Sequence, residues 1–294
     1  MSTQILRSIT AAGALMLLFS DAPASGQQQT ATTAAGCPLK PAQFHACAIE
    51  KAKTFNPPRT VDGHPDMQGA WDRTVTSQDI EEHGAGFGVQ AGESLIIDPP
   101  DGKIPYRPWA MEKRKTMAQE YISPLASCFP PGVPRQVYAP GGNWILQSPE
   151  YLVFLLEYSH SYRIIPTIAR PHAGNNVRLW MGDSRGHWEG NTLVVDVTNS
   201  NGLAWLDNAG NFYSDALHLT ERFTLVDADT IHYEATLDDP KVYTRPWKIA
   251  FAIMRHKEPD YELLEAACHE GDHSLPGQLK LGLKPYAGVV PPPN

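Results

Sequence analysis

The sequence lacks most of the short patterns from which catalytic and nucleotide sites are read. It has no HExxH, no GxSxG, no P-loop and no GxGxxG. Ser184 sits in GDSRG, outside the strand–Ser–helix context of a nucleophile elbow. Positive charge is also short. Lys and Arg total 24 against 32 Asp and Glu, a formal net charge of -8. A chain so acidic, without a basic stripe, offers no electrostatic footprint for nucleic acid or for an anionic membrane surface. Beyond residue 24 no apolar run reaches membrane length, so no stable membrane insertion is expected. Long helices are disfavoured by 26 Pro and 23 Gly. Four Cys are present without a CxxC, and the close pair His269 and His273 is split by Gly271. No metal site and no cofactor are expected from these spacings.

What is present begins with a leader. Arg7, an apolar run over residues 9–19 and the small residues of Ala22-Pro23-Ala24 read as a signal peptide over residues 1–24. The mature protein is then periplasmic or secreted. Residues 25–36 are polar and low in complexity, a disordered leader. Exported chains permit disulfides. Three full pairings of Cys37, Cys47, Cys128 and Cys268 are possible, and Cys37–Cys47 with Cys128–Cys268 is favoured. Residues 37–135 form a Pro-rich N-terminal arm. Helices are expected over residues 41–53 and, as the best candidate, 107–122, where Pro108 opens the first turn. Trp71 should plug a core.

From residue 136 to 270 the character is β. Strand candidates run over residues 145–147, 151–158, 161–167, 177–181, 187–189, 192–198, 216–226, 230–238, 244–255 and 261–268. No helical pattern alternates with them, so a parallel βαβ sheet is disfavoured. The expectation is mostly β: a meandering antiparallel barrel or curled sheet, lipocalin-like in outline, carrying the arm and one helix. Residues 271–294 read as a C-terminal strap. Period-2 parity assigns faces. Leu217, Leu219, Phe223 and Leu225 share a face with Glu221, while His218, Thr220, Arg222 and Thr224 share the other. Ile231, Tyr233, Ala235 and Leu237 face opposite to His232, Glu234 and Thr236. The strand over 247–254 is apolar on both sides and needs cover on both.

The motifs CFPPGVPR, EYSHSYRIIP, GDSRGHWEG, LHLTERF and YTRPW, in this order, resemble a family of exported, mostly uncharacterised bacterial proteins. The likeness covers residues 128–268. One departure is the stretch before the Pro171-His172 pair. The family has an Asp-Gly-Arg turn there, and this chain reads Ile168-Ala169-Arg170. The WEGxTL hairpin is also similar to turns of lipocalin-like barrels, which implies a fold and carries no residue roles.

Two constellations carry chemistry. His172, Asp183, Arg185 and Glu189 surround a Gly-flanked loop, where a carboxylate beside a His can tune a general base. The plainer account is an Asp183–Arg185 ion pair tying the loop. His218 and Arg222 share a strand face, and Tyr233 comes from the next strand. Converging in a barrel, they would suit an acid/base step, with Arg222 holding an anionic group. Catalytic candidates are therefore His172, Asp183, His218, Arg222 and Tyr233. Ligand-binding candidates are Arg185, Trp188, Tyr162, Arg163 and Trp247. The leading expectation is a cofactor-free enzyme acting on an aromatic or apolar small molecule in a barrel cavity, as a lyase, isomerase or hydrolase. The alternatives are a binding or carrier protein for such a ligand without catalysis, and a structural module of the cell envelope. Convergence of His218, Arg222 and Tyr233 in one pocket would favour the enzyme.

Overall fold

Strand pairing dominates the computed structural model, which describes residues 32–86, 90–268, 270 and 274–292. The signal peptide, most of the leader, and His269 and His273 lie outside these. The described residues belong to one compact unit. Helix α1 (Pro41–Ala52) is followed by β1 (Gly69–Arg73), β2 (Ile96–Asp98), α2 (Pro108–Glu120) and β3 (Tyr121–Ile122). Then come β4 (Asn143–Gln147), β5 (Tyr151–Leu156), β6 (Tyr162–Pro166), β7 (Asp183–Glu189) and β8 (Thr192–Thr198). The chain continues through β9 (His218–Asp227), β10 (Thr230–Asp238), β11 (Trp247–Arg255), α3 (Ser274–Lys280) and β12 (Lys284–Pro285).

Ten strands form one sheet in the order β6-β5-β4-β1-β11-β10-β9-β8-β7, with β2 beside β11. Every pairing in it is antiparallel. The two ends of the order, β6 and β7, come back against each other without a ladder. The result is a nearly closed antiparallel barrel, and the expected fold class holds. Turn chemistry sets the meander. Gly190 takes φ +59° between β7 and β8, where a side chain would be strained. Between β9 and β10, the Asp229 N–H donates to Asp227 Oδ1 at 2.8 Å.

Four details differ from the sequence expectation. The arm is not merely packed on the barrel: β1 fills the gap between β4 and β11, and β2 extends the sheet. Its Trp71 is fully buried, with the Arg255 guanidinium 4.1 Å from the ring centroid. The described residues hold three α-helices: the two expected over residues 41–53 and 107–122, and α3 in the C-terminal strap. Residues 177–181 and 261–268 form no strand. Leu179 makes one bridge to Ser200; β11, the strand before 261–268, is already paired on both sides, and Tyr261 stacks on His256 instead of joining the sheet. Thr33, at the end of the leader, is buried, and the Ala35 N–H donates to Asp227 Oδ2 at 2.9 Å.

Parity is obeyed. Leu219, Glu221, Phe223 and Leu225 of β9 point inward, as do Ile231, Tyr233, Ala235 and Leu237 of β10. An aromatic chain fills the interior: Phe154–Phe223, Phe223–Tyr233, Tyr233–Phe251 and Phe251–Tyr138, with centroids 5.0–5.7 Å apart. The second cover that β11 requires is α1. Phe44 and Ala48 on its buried face meet Val226 and Ala252 on the outside of the sheet. Disulfides join Cys37 to Cys47 and Cys128 to Cys268, the favoured pairing.

Candidate functional site

The strand pair β9–β10 places Tyr233 on one side of the sheet and His218 and Arg222 on the other. The three do not converge. Antiparallel register sets Tyr233 opposite Phe223 and Glu234 opposite Arg222, so Tyr233 must share the face of Glu221.

Inside the barrel, Arg163 of β6 reaches Glu221 of β9, both almost wholly buried. Its Nη1 donates to Glu221 Oε1 at 3.1 Å, and its Nη2 donates to Oε2. The Arg163 Nε donates to Ser184 Oγ of β7 at 2.9 Å, and Nη1 also reaches Gln136 Oε1 at 3.3 Å. The Tyr233 hydroxyl donates to Glu221 Oε1 at 2.8 Å. Burial, together with the Glu221 charge, pushes the Tyr233 phenol well above its ordinary value. Tyr233 is thus a neutral donor in a closed network. A buried charge pair requires this saturation, because an unpaired partner would be strongly destabilising. Glu221 was not among the sequence candidates. Its one signal was its parity with four apolar residues.

On the outside, a second chain of polar groups runs along the sheet. Asp196 of β8 takes His218 Nε2 at 2.5 Å on Oδ1 and His172 Nε2 at 2.7 Å on Oδ2. The other nitrogen of His172 meets Asp183 Oδ2 at 3.0 Å, and Arg185 Nη1 donates to Asp183 Oδ1 at 2.6 Å. His172 is held by a loop whose carbonyls at Gly174 and Val177 accept from Asn199 Nδ2. Burial opposes the charge on Asp196, yet the two histidine hydrogen bonds hold its carboxyl below the usual range. The His218 side chain is 51% exposed. The structure therefore brings His172, Asp183, Arg185 and His218 together through Asp196, which the sequence reading did not single out. Arg222 is separate. It donates to Glu189 Oε2 at 2.9 Å, and Glu189 also meets His187.

The remaining candidates scatter. Trp247 is buried edge-on to Tyr243. Trp188 stacks on His64 of the arm with centroids 4.9 Å apart. Tyr162 lies at the seam between β6 and β7.

That seam holds a cleft of about 450 Å³. Its lining includes Tyr162, Ile164, Leu179, Trp180, Met181 and the hydroxyl-bearing Ser161 and Ser184, with Arg163 at its edge. Tyr162 and Ile164 are 61% and 49% exposed, and Trp180 stacks on Phe129 at 4.6 Å. The cleft lies where β6 and β7 meet without a ladder.

One further cluster can hold a metal. His45 of α1 and His232 and Glu234 of β10 hold their ligand atoms within 4.8 Å of one another. Positions 187 residues apart in the chain are invisible to motif spacing.

No protein-family model matches the chain, and no curated protein matches it. Among solved structures it is similar to a crystal structure of a point mutant of the fluorescent protein UnaG. The identity is 11%, over 49% of this chain and 90% of that one, with a TM-score of 0.24. So slight an overlap carries nothing about ligand or activity, and the barrel rests on its own strand pairing. The fold and the cleft define a filled antiparallel β-barrel with an open, largely apolar cleft along its seam. Its two disulfides fit an oxidising compartment. No helix among the described residues is long and apolar enough to cross a membrane.

Proposed function

We propose that this protein binds a small apolar or aromatic molecule in the seam cleft, as an exported binding or carrier protein without catalysis. The observation that carries this reading is the cleft itself: about 450 Å³, walled by exposed Tyr162, Ile164 and Leu179 beside Trp180 and Met181. Apolar side chains left uncovered around a concavity of this volume are characteristic of small-molecule sites. The Ser184 hydroxyl, which accepts from Arg163 Nε at 2.9 Å, keeps its own proton to donate to a polar substituent, whereas the Ser161 hydroxyl already donates to Tyr158 O at 3.0 Å. The Arg163 guanidinium is already engaged by Glu221, Ser184 and Gln136, so it shapes the wall and is not offered to a ligand anion. The separation of Tyr233 from His218 and Arg222 by the sheet argues against an acid/base site inside the barrel.

The test is a titration with 1-anilinonaphthalene-8-sulfonate followed by probe emission and tryptophan quenching. Saturable binding is expected, weakened at least tenfold by Trp180→Ala and by Ile164→Glu. Absence of saturable binding, or indifference to both substitutions, overturns the reading.

One observation favours a second reading. Asp196 bridges His218 and His172 on the outer face, an arrangement able to pass a proton between two imidazoles. Under that reading turnover of an aromatic substrate depends on His218 and is lost in His218→Ala, whereas binding in the cleft is not.

A further inference from the structure

Helix α1 and strand β10 bring together three side chains able to ligate a metal ion, His45, His232 and Glu234. His232 and Glu234 are two residues apart on β10, so strand periodicity puts both on the outer face. That face would be open to water if α1 did not cover it. Phe44 packs against His232 edge-on at 5.6 Å, and the next residue, His45, comes down beside it. The Cys37–Cys47 disulfide lies two residues beyond His45 and ties the helix to the segment before it.

The distances have metal-site character. His45 Nδ1 is 3.0 Å from His232 Nε2 and 3.8 Å from Glu234 Oε2. Ligand atoms about 2.0–2.1 Å from a tetrahedral zinc are about 3.4 Å from each other; the separations from His45 fall on either side of that value, and all three ligand atoms lie within 4.8 Å of one another. The other carboxylate oxygen, Glu234 Oε1, is fixed by Lys248 Nζ at 2.8 Å, which orients the group and leaves Oε2 toward the rings. The environment also suits neutral imidazoles. Burial, and then His45, push His232 down to about 4, and burial lowers His45 as well. Metal-binding histidines must be neutral. Without a metal, one ring must donate its proton to the other across the 3.0 Å contact. With a metal, each ring carries its proton on the far nitrogen and no net proton is released. Lys248 and Arg222 are the positive charges nearby, and both reach solvent, at 41% and 39% exposure.

We propose that His45, His232 and Glu234 form a site for one borderline transition-metal dication of the zinc type, completed by water, that clamps α1 onto the barrel. The His45 side chain is 21% exposed and that of Glu234 14%, which leaves a path for the ion and for a water ligand. The outer-face cluster is a poorer candidate. The two nitrogens of His172 point at different carboxylates, and Arg185 already occupies Asp183.

The full mature chain, untagged and stripped with chelator, is titrated with zinc by calorimetry and with cobalt(II) by visible absorption. One equivalent is expected, with the tetrahedral cobalt band and a raised thermal midpoint. His45→Gln and Glu234→Gln should each weaken zinc binding about a hundredfold or more, beyond the roughly 10–100-fold typical of losing an outer partner. His218→Gln should leave the stoichiometry unchanged. Zinc-edge X-ray absorption on the wild-type chain should count two imidazoles with oxygen ligands, a readout independent of how any variant folds. The proposal falls if no stoichiometric binding occurs or if the absorption shows fewer than two imidazoles. It falls equally if binding survives His45→Gln and Glu234→Gln but is lost in His218→Gln.

Discussion

At the residue scale the decisive group is Glu221. It sits at the centre of the barrel with both carboxylate oxygens taken by Arg163, and Oε1 also by Tyr233. Removing its charge leaves Arg163 buried and uncompensated. Glu221→Gln should therefore lower stability by about 3–5 kcal/mol. Tyr233→Phe should cost only about 1 kcal/mol, because Glu221 keeps its arginine. Urea unfolding of the two variants checks the order, and a Glu221→Gln protein as stable as wild type would mean that the network is not closed. The same residues explain why the catalytic expectation for Tyr233 has no support in the geometry. A phenol pushed well above its ordinary value by burial does not release its proton near neutral pH.

Elements decide the seam. Between β6 and β7 the barrel closes by side-chain packing and by the Arg163–Ser184 contact rather than by a ladder. Gly186 permits the approach. A Cβ placed there would lie 2.9 Å from Ile165 Cγ2 and 3.4 Å from Pro166 O. Gly186→Val should therefore lower stability by about 1–3 kcal/mol through overpacking, and it should also change probe affinity in the cleft without touching the cleft's apolar wall. A variant with unchanged melting and unchanged affinity would show that the strands are not in contact there. The sequence marked GDSRGHWEG as important but could not say why its second glycine is needed, because Ile165 lies on a strand read separately. The arm teaches the same lesson. Trp71 is legible as a core residue, yet the five-residue strand around it gives no sign of which two strands it will separate.

For the whole molecule, the disulfides set how much freedom the unfolded chain can regain. Cys128–Cys268 spans 140 residues and Cys37–Cys47 spans 10. On the chain-entropy account these closures are worth about 5 and about 3 kcal/mol. Replacing Cys128 and Cys268 by Ser should therefore lower the unfolding free energy more than replacing Cys37 and Cys47. Denaturant titrations of the two double variants test this, and the reverse order would place the stabilisation in native packing instead. The long bridge ties the loop before β4 to the segment after β11, so β4 to β11 lie inside one covalent ring, while β1 and β2 of the same sheet lie outside it.

The sequence by itself determined the fold class, the inward and outward faces of β9 and β10, and the need for cover over β11. These follow from local periodicity and from turn residues such as Gly190 and Asp229, which act within a few positions along the chain. Tertiary structure alone decided which face met which. It closed Arg163 onto Glu221 across 58 residues, joined His172 to His218 through Asp196, and brought His45 over His232 across 187. Such contacts depend on sheet register and on how far the barrel curls before its edges meet, and neither is written in any one stretch of chain.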